Sequence, residues 1–212
     1  MTVLGLGHDV VEVSGFAAQL AEPGTRMRAL FSARESRQAA LRGRLKGDGE
    51  AVHLAARWAG KEAVLKAWCE ALSRGGRPGP GTGRVAGAGA VAGAGHASAM
   101  VAGAGHASAA VAGAAPAALP YTLDDFPWPL VEILDDARGV PHVVLAADVE
   151  GRLASSLGPA CGAAAEGVSA AVAGADRADG NAGAAPWLTW HVSLSHDGPV
   201  ASAVVLLELR RP

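Results

Sequence analysis

From about residue 75 to residue 118 the chain is almost wholly Gly, Ala, Val, Pro and Ser, which limits the residues left to build a core. Such small side chains bury too little apolar surface to offset chain entropy, so composition predicts disorder there. The stretch holds a direct repeat. VAGAGHASA occupies 91–99 and again 101–109, and VAGA restarts at Val111. His96 and His106 sit at the same place in each copy, so duplication explains the pair better than metal binding does. A second Ala/Gly-rich stretch runs from 160 to 186. The remainder of the 212 residues suits one compact domain, 1–212, carrying two low-complexity insertions.

Charge and cysteine content exclude several classes. A formal net charge of −2 gives no basic footprint for nucleic acid. Cys69 and Cys161 form no CxxC pair and have no metal-ligand spacing, which fits bystander thiols in a reducing compartment. No apolar run reaches membrane-spanning length, and Met1–Gly5 lacks a basic leader, so the expectation is a soluble cytoplasmic protein with no membrane partner.

The ordered segments mix strands and helices. VLGLGHDVVEV at the start alternates as a strand does. Residues 16–41 read as short helices broken near Pro23-Gly24. Residues 50–72 give the strongest helix, with Asp48 as expected N-cap. Val52, Ala56, Ala59, Ala63 and Ala67 recur at helical spacing, and Trp58, Leu65, Trp68 and Leu72 widen the apolar face. Gly60 within it marks an expected close contact. LVEIL and PHVVL flank a turn at 135–139, a helix covers 146–157, and residues 188–209 form a hairpin turning at Asp197-Gly198. The hairpins predict a largely antiparallel sheet and the α+β class.

Three segments carry candidate chemistry. Gly5-Leu6-Gly7 begins like a dinucleotide fingerprint, but Val10 stands where the third glycine belongs and no helix obviously follows. Asp9 is more telling, because a carboxylate among valines and leucines is costly to bury unless paired or bound to a metal. On the long helix, His53, Arg57 and Lys61 form one i, i+4 row, and Glu62 and Lys66 another. A solvated face is the ordinary explanation; against it, the surrounding Trp and Ala residues predict that these charges sit in a cleft. In the C-terminal segment, His191, Ser193 and Ser195 face one way. Ser195-His196-Asp197 is no triad, since adjacent strand residues point to opposite faces.

Taken in order, GLGHDVVEV, RWAGKEAVLKAW, DDARGVPHVVL and HVSLSHDGPVASAVVLLE resemble the holo-acyl carrier protein synthase family of 4′-phosphopantetheinyl transferases. HLAARWAGKEAVLKAW looks particularly like actinobacterial members. The resemblance covers nearly all the chain outside the two Gly/Ala-rich stretches. It implies the 4′-phosphopantetheinyl transferase fold, an antiparallel sheet packed with a long central helix. It also implies transfer of the 4′-phosphopantetheine arm of coenzyme A to a serine of apo acyl carrier protein, or of a fatty acid synthase carrier domain, releasing 3′,5′-ADP.

The same resemblance implies site residues. Asp9 and Glu62 match the carboxylates that hold Mg2+, a cation suited to one or two carboxylates beside substrate phosphates. Lys66 matches a lysine near the phosphates. Arg57, Lys61, Ser195 and His196 match positions of the coenzyme site, and His191 a histidine of the catalytic set. Glu62, a metal-bound water and His191 are each open as acceptor of the serine proton. Family members of this short type are commonly homotrimers with sites between subunits. Many carry arginines after the first motif, where the carrier docks; Val13-Ser14-Gly15-Phe16 has none, leaving Arg26, Arg28 and Arg34 as substitutes. The alternatives are a non-catalytic module of the same fold that binds coenzyme A or carrier protein, and an unrelated metal-dependent hydrolase using Asp9, His191 and His196.

Overall fold

The computed structural model describes residues 1–74, 119–122, 124–158 and 187–211. Both Gly/Ala-rich stretches, the duplicated histidines and Cys161 lie outside the described residues, and so does the expectation of disorder. In chain order the elements are β1 (Thr2–Glu12), α1 (Val13–Ala21), α2 (Ala33–Lys46), α3 (Glu50–Ser73), β2 (Val131–Asp135), β3 (Pro141–Leu145), α4 (Ala147–Ser156), β4 (Trp187–Asp197) and β5 (Val200–Arg210). Pairing is antiparallel throughout, in a three-stranded sheet ordered β1-β5-β4 and a separate β2-β3 hairpin. The α+β reading holds, with the strands divided between two sheets.

Packing centres on β1 against α3. A Cβ added at Gly5 would stand 2.0 Å from the Ala67 carbonyl oxygen, and one at Gly7 1.8 Å from that of Ala63. Only glycine lets strand and helix backbones come this close. The helix answers with its own small residues: Ala59, Ala63, Ala67 and Ala71 are fully buried at four-residue spacing. The G-x-G of the sequence is therefore a packing device. Gly60 behaves as expected too, since a Cβ there would lie 2.9 Å from Ile133 Cγ1.

α3 is buried on nearly all sides, as a helix without a polar face must be. One apolar cluster joins it to both sheets and α4 through Trp68, Phe126, Trp128, Ile133, Leu153 and Leu207. Another surrounds its first turns with Phe16, Leu20, Met27, Phe31 and Leu54. Two of its side chains also finish the free edge of β1: Glu70 accepts the Leu6 amide and Lys66 donates to the His8 carbonyl.

The start of α3 corrects the expected cap. Gly49, with φ 87°, holds the N-cap position and offers no side chain, so Asp48 sits one residue too early and bonds His53 instead. A true capping box opens α2, where Ser32 and Glu35 exchange bonds.

Replacing Gly7 with alanine should lower stability by about 3 kcal/mol, because the methyl meets backbone that cannot rotate away. Urea denaturation checks this; a loss of a few tenths would mean that the contact is loose.

Candidate active site

Asp9, Glu62 and Lys66 converge where β1 crosses α3. Asp9 lies on the inward face of β1, only 8% exposed, and the Lys66 ammonium is 2.6 Å from its Oδ1. Asp9 Oδ2 is buried without a hydrogen-bond partner. Glu62, one turn before Lys66, is mostly shielded from solvent. Burial pushes its carboxyl up to about 8, the neighbouring Asp9 adds to the shift, and Lys66 opposes it. Near neutrality Glu62 thus keeps a proton beside Asp9.

This donor set fits a divalent cation. Two carboxylates lie together, one with an orphaned buried oxygen and the other kept protonated by burial and, secondarily, by the neighbouring Asp9. A hard cation binds such oxygens and leaves positions for water or phosphate. The Lys66 side chain is 46% exposed and reaches solvent beside the pair.

The other expected residues are placed elsewhere. Arg57 and Lys61, expected at the coenzyme, point inward. Arg57 is 2.9 Å from the Asp135 carboxylate and bonds Gln38 and the His53 carbonyl. Lys61 is fully buried, 2.9 Å from Glu35 and donating to the Trp128 and Val131 carbonyls at 2.7 and 2.6 Å. Burial lowers the affinity of both groups for their protons, and Asp135 and Glu35 respectively oppose that. These charges are retained as internal crosslinks between α3, α2 and the β2-β3 hairpin. Arg57 and Lys61 thus lie in the packed interior and tie the elements around α3 together.

His191 and Ser195 lie on the outward face of β4, away from Asp9, whose partner across β5 is the inward Ala203. A single chain therefore does not unite them with the carboxylates. His191 is 2.7 Å from the buried Glu208, and this hydrogen bond holds Glu208 below the usual carboxylate range. His196 points inward beside His53, with ring centroids 5.4 Å apart. Of the substitute arginines, Arg28 pairs with Glu50 and Arg34 with Glu132, though both stay about half exposed.

The partners Glu35, Asp135 and Glu208 escaped the sequence reading. Glu35 had a readable signal in its capping-box spacing from Ser32; the long-range pairings had none.

Comparison with known proteins decides the family. A profile of the 4′-phosphopantetheinyl transferase superfamily matches residues 5–80. A holo-[acyl-carrier-protein] synthase of Bifidobacterium adolescentis is 44% identical over 211 residues, covering 98% of this chain and 100% of its own. The chain belongs to the holo-[acyl-carrier-protein] synthases. It is a phosphopantetheinyl transferase of actinobacterial type. A synthase of Nocardia farcinica is 32% identical over 98% of this chain and 89% of its own. Among solved structures, an ACPS–CoA complex of Chronobacterium ammoniagenes shares the fold, with TM-score 0.55, 24% identity and 98% of both chains covered.

The raised carboxyl predicts a pH signature in this synthase. The Glu62 contribution to stability is fully present below its ordinary value of 4.5 and is lost as pH rises through about 8. In chelator, Glu62→Gln should match wild type at acid pH and become the more stable protein above about 8. Urea melts at a series of pH values check this, and a pH-independent difference would separate Glu62 from Asp9.

Proposed function

We propose that this synthase transfers 4′-phosphopantetheine from coenzyme A to a serine of apo acyl carrier protein, or of a fatty acid synthase carrier domain. Asp9 and Glu62 hold Mg2+, and the reading rests chiefly on the orphaned Asp9 Oδ2 beside a protonated Glu62. The serine hydroxyl gives its proton to a base as its oxygen bonds to the phosphorus that carries pantetheine, the pyrophosphate bond breaks, and 3′,5′-ADP leaves. When bound, the cation supplies charge neutralisation at the phosphates. Lys66, free to turn from Asp9 toward solvent, meets the same phosphates as a mobile point charge. His196 lies on the inward face of β4 beside His53 and suits a coenzyme contact.

A homotrimer accounts for the remaining residues. Leu6, Val10 and Val204 leave the outward sheet face apolar and 41–51% exposed, and His191 and Ser195 share that face. Copies joined there bury the apolar residues and bring His191 and Ser195 into an interface. One domain spanning 1–212 agrees with a single α3 packing against both sheets. No helix of the described residues is long and apolar enough to cross a membrane, and the exposed free Cys69 suits a reducing cytoplasm.

Intact-mass spectrometry of apo acyl carrier protein and of an excised carrier domain, after incubation with enzyme, coenzyme A and Mg2+, tests the reaction. One phosphopantetheine should be gained, lost with chelator, and lost in Asp9→Ala and Glu62→Ala. Full activity in both variants would remove the metal pair; coenzyme binding without transfer would favour a non-catalytic module. Sedimentation equilibrium should give three times the chain mass for wild type and a smaller species for Val204→Glu, whereas a monomeric wild type would exclude the shared site.

A further inference from the structure

A second group of ligating side chains lies at the opposite end of α3 from Lys66. Asp48 precedes the helix, His53 stands in its first turns, and His196 comes from the end of β4. Each offers one donor atom, and the three atoms lie within 4.8 Å of one another. We propose that Asp48, His53 and His196 form a site for a transition-metal dication of the Zn2+ class, separate from the Asp9–Glu62 pair.

The donor chemistry selects the metal. Two imidazoles and one carboxylate suit Zn2+, Co2+ or Ni2+, whereas Mg2+ asks for an all-oxygen set. Bonds of about 2.0–2.2 Å place tetrahedral ligand atoms roughly 3.3 Å apart. Asp48 Oδ1 and His53 Nε2 are already 2.8 Å apart, so His196 has the main adjustment to make. His53 is buried and bonded to Asp48, while His196 is half-buried. Its ring stands perpendicular to that of His53.

Position on the strand supports the same reading. Leu188, Trp190, Val192 and Leu194 form the inward row of β4 and pack on the core. His196 is the next member of that row and the first able to ligate, and it ends against the Asp48–His53 pair. Asp48 is exposed, so a fourth position opens to water. A bound ion would tie the start of α3 to the β4-β5 hairpin. The site uses neither Asp9 nor Glu62, so its metal can be tested apart from theirs.

Calorimetric titration of the full chain with Zn2+, in excess Mg2+ to occupy the carboxylate pair, tests the proposal. Asp48→Asn and His196→Asn avoid disturbing the buried His53, and chelator-treated melts confirm that they fold. Wild type should bind one micromolar-affinity equivalent that each variant weakens by about tenfold or more and Asp9→Asn leaves intact. The thermal midpoint of wild type should rise with Zn2+ more than that of either variant. Equal affinity and stoichiometry in wild type and both variants would overturn the site, as would loss of the equivalent in Asp9→Asn or no binding by wild type. Bound Co2+ gives a second readout: a visible absorption band in wild type that His196→Asn removes supports the site, and an unchanged band refutes it.

Discussion

The contact of Gly5 and Gly7 with the α3 backbone sets the distance on which the rest depends. At ordinary helix–sheet spacing, Asp9 would face a gap. With the two backbones touching, the next inward residue of β1 falls against Glu62 and Lys66. The glycines thus act on the chemistry without carrying any, by fixing how near two carboxylates stand. Burial, reinforced by that nearness, keeps a proton on Glu62 and makes the pair receptive to a dication.

A helix buried on all sides has to account for each of its charges. α3 does so in two ways. Arg57 and Lys61 are neutralised internally by Asp135 and Glu35, and Lys61 also gains two carbonyls, so little of its hydrogen-bonding capacity is left unmet. Glu62 and Lys66 lie toward the β1 edge and keep access to solvent. The difference between a structural and a chemical charge on this helix is therefore one of where the surrounding elements stand.

Much of this was legible in the sequence because periodicity and capping are local. The strand from Val3, the long helix from Glu50, both hairpins and the close approach at Gly60 were read from spacing alone, and the resemblance supplied the grouping of Asp9, Glu62 and Lys66. What escaped was long-range. Nothing local in RWAGKEA tells that Lys61 turns toward Glu35, 26 positions earlier, while Glu62 turns toward Asp9. The strand period does put His191 and His196 on opposite faces, but sequence did not show that β1 presents Asp9 to only one of them. Asp48 failed as a cap because Gly49, directly before the helix start at Glu50, holds the N-cap position itself.

The bonds from Glu70 and Lys66 to the outer edge of β1 also constrain assembly. A sheet grows by offering unpaired amides and carbonyls along an edge to an incoming strand. Here the Leu6 amide and His8 carbonyl are already taken by the helix beneath. An incoming strand on that side would have to displace both bonds before it could pair, which guards the edge against lateral growth of the sheet.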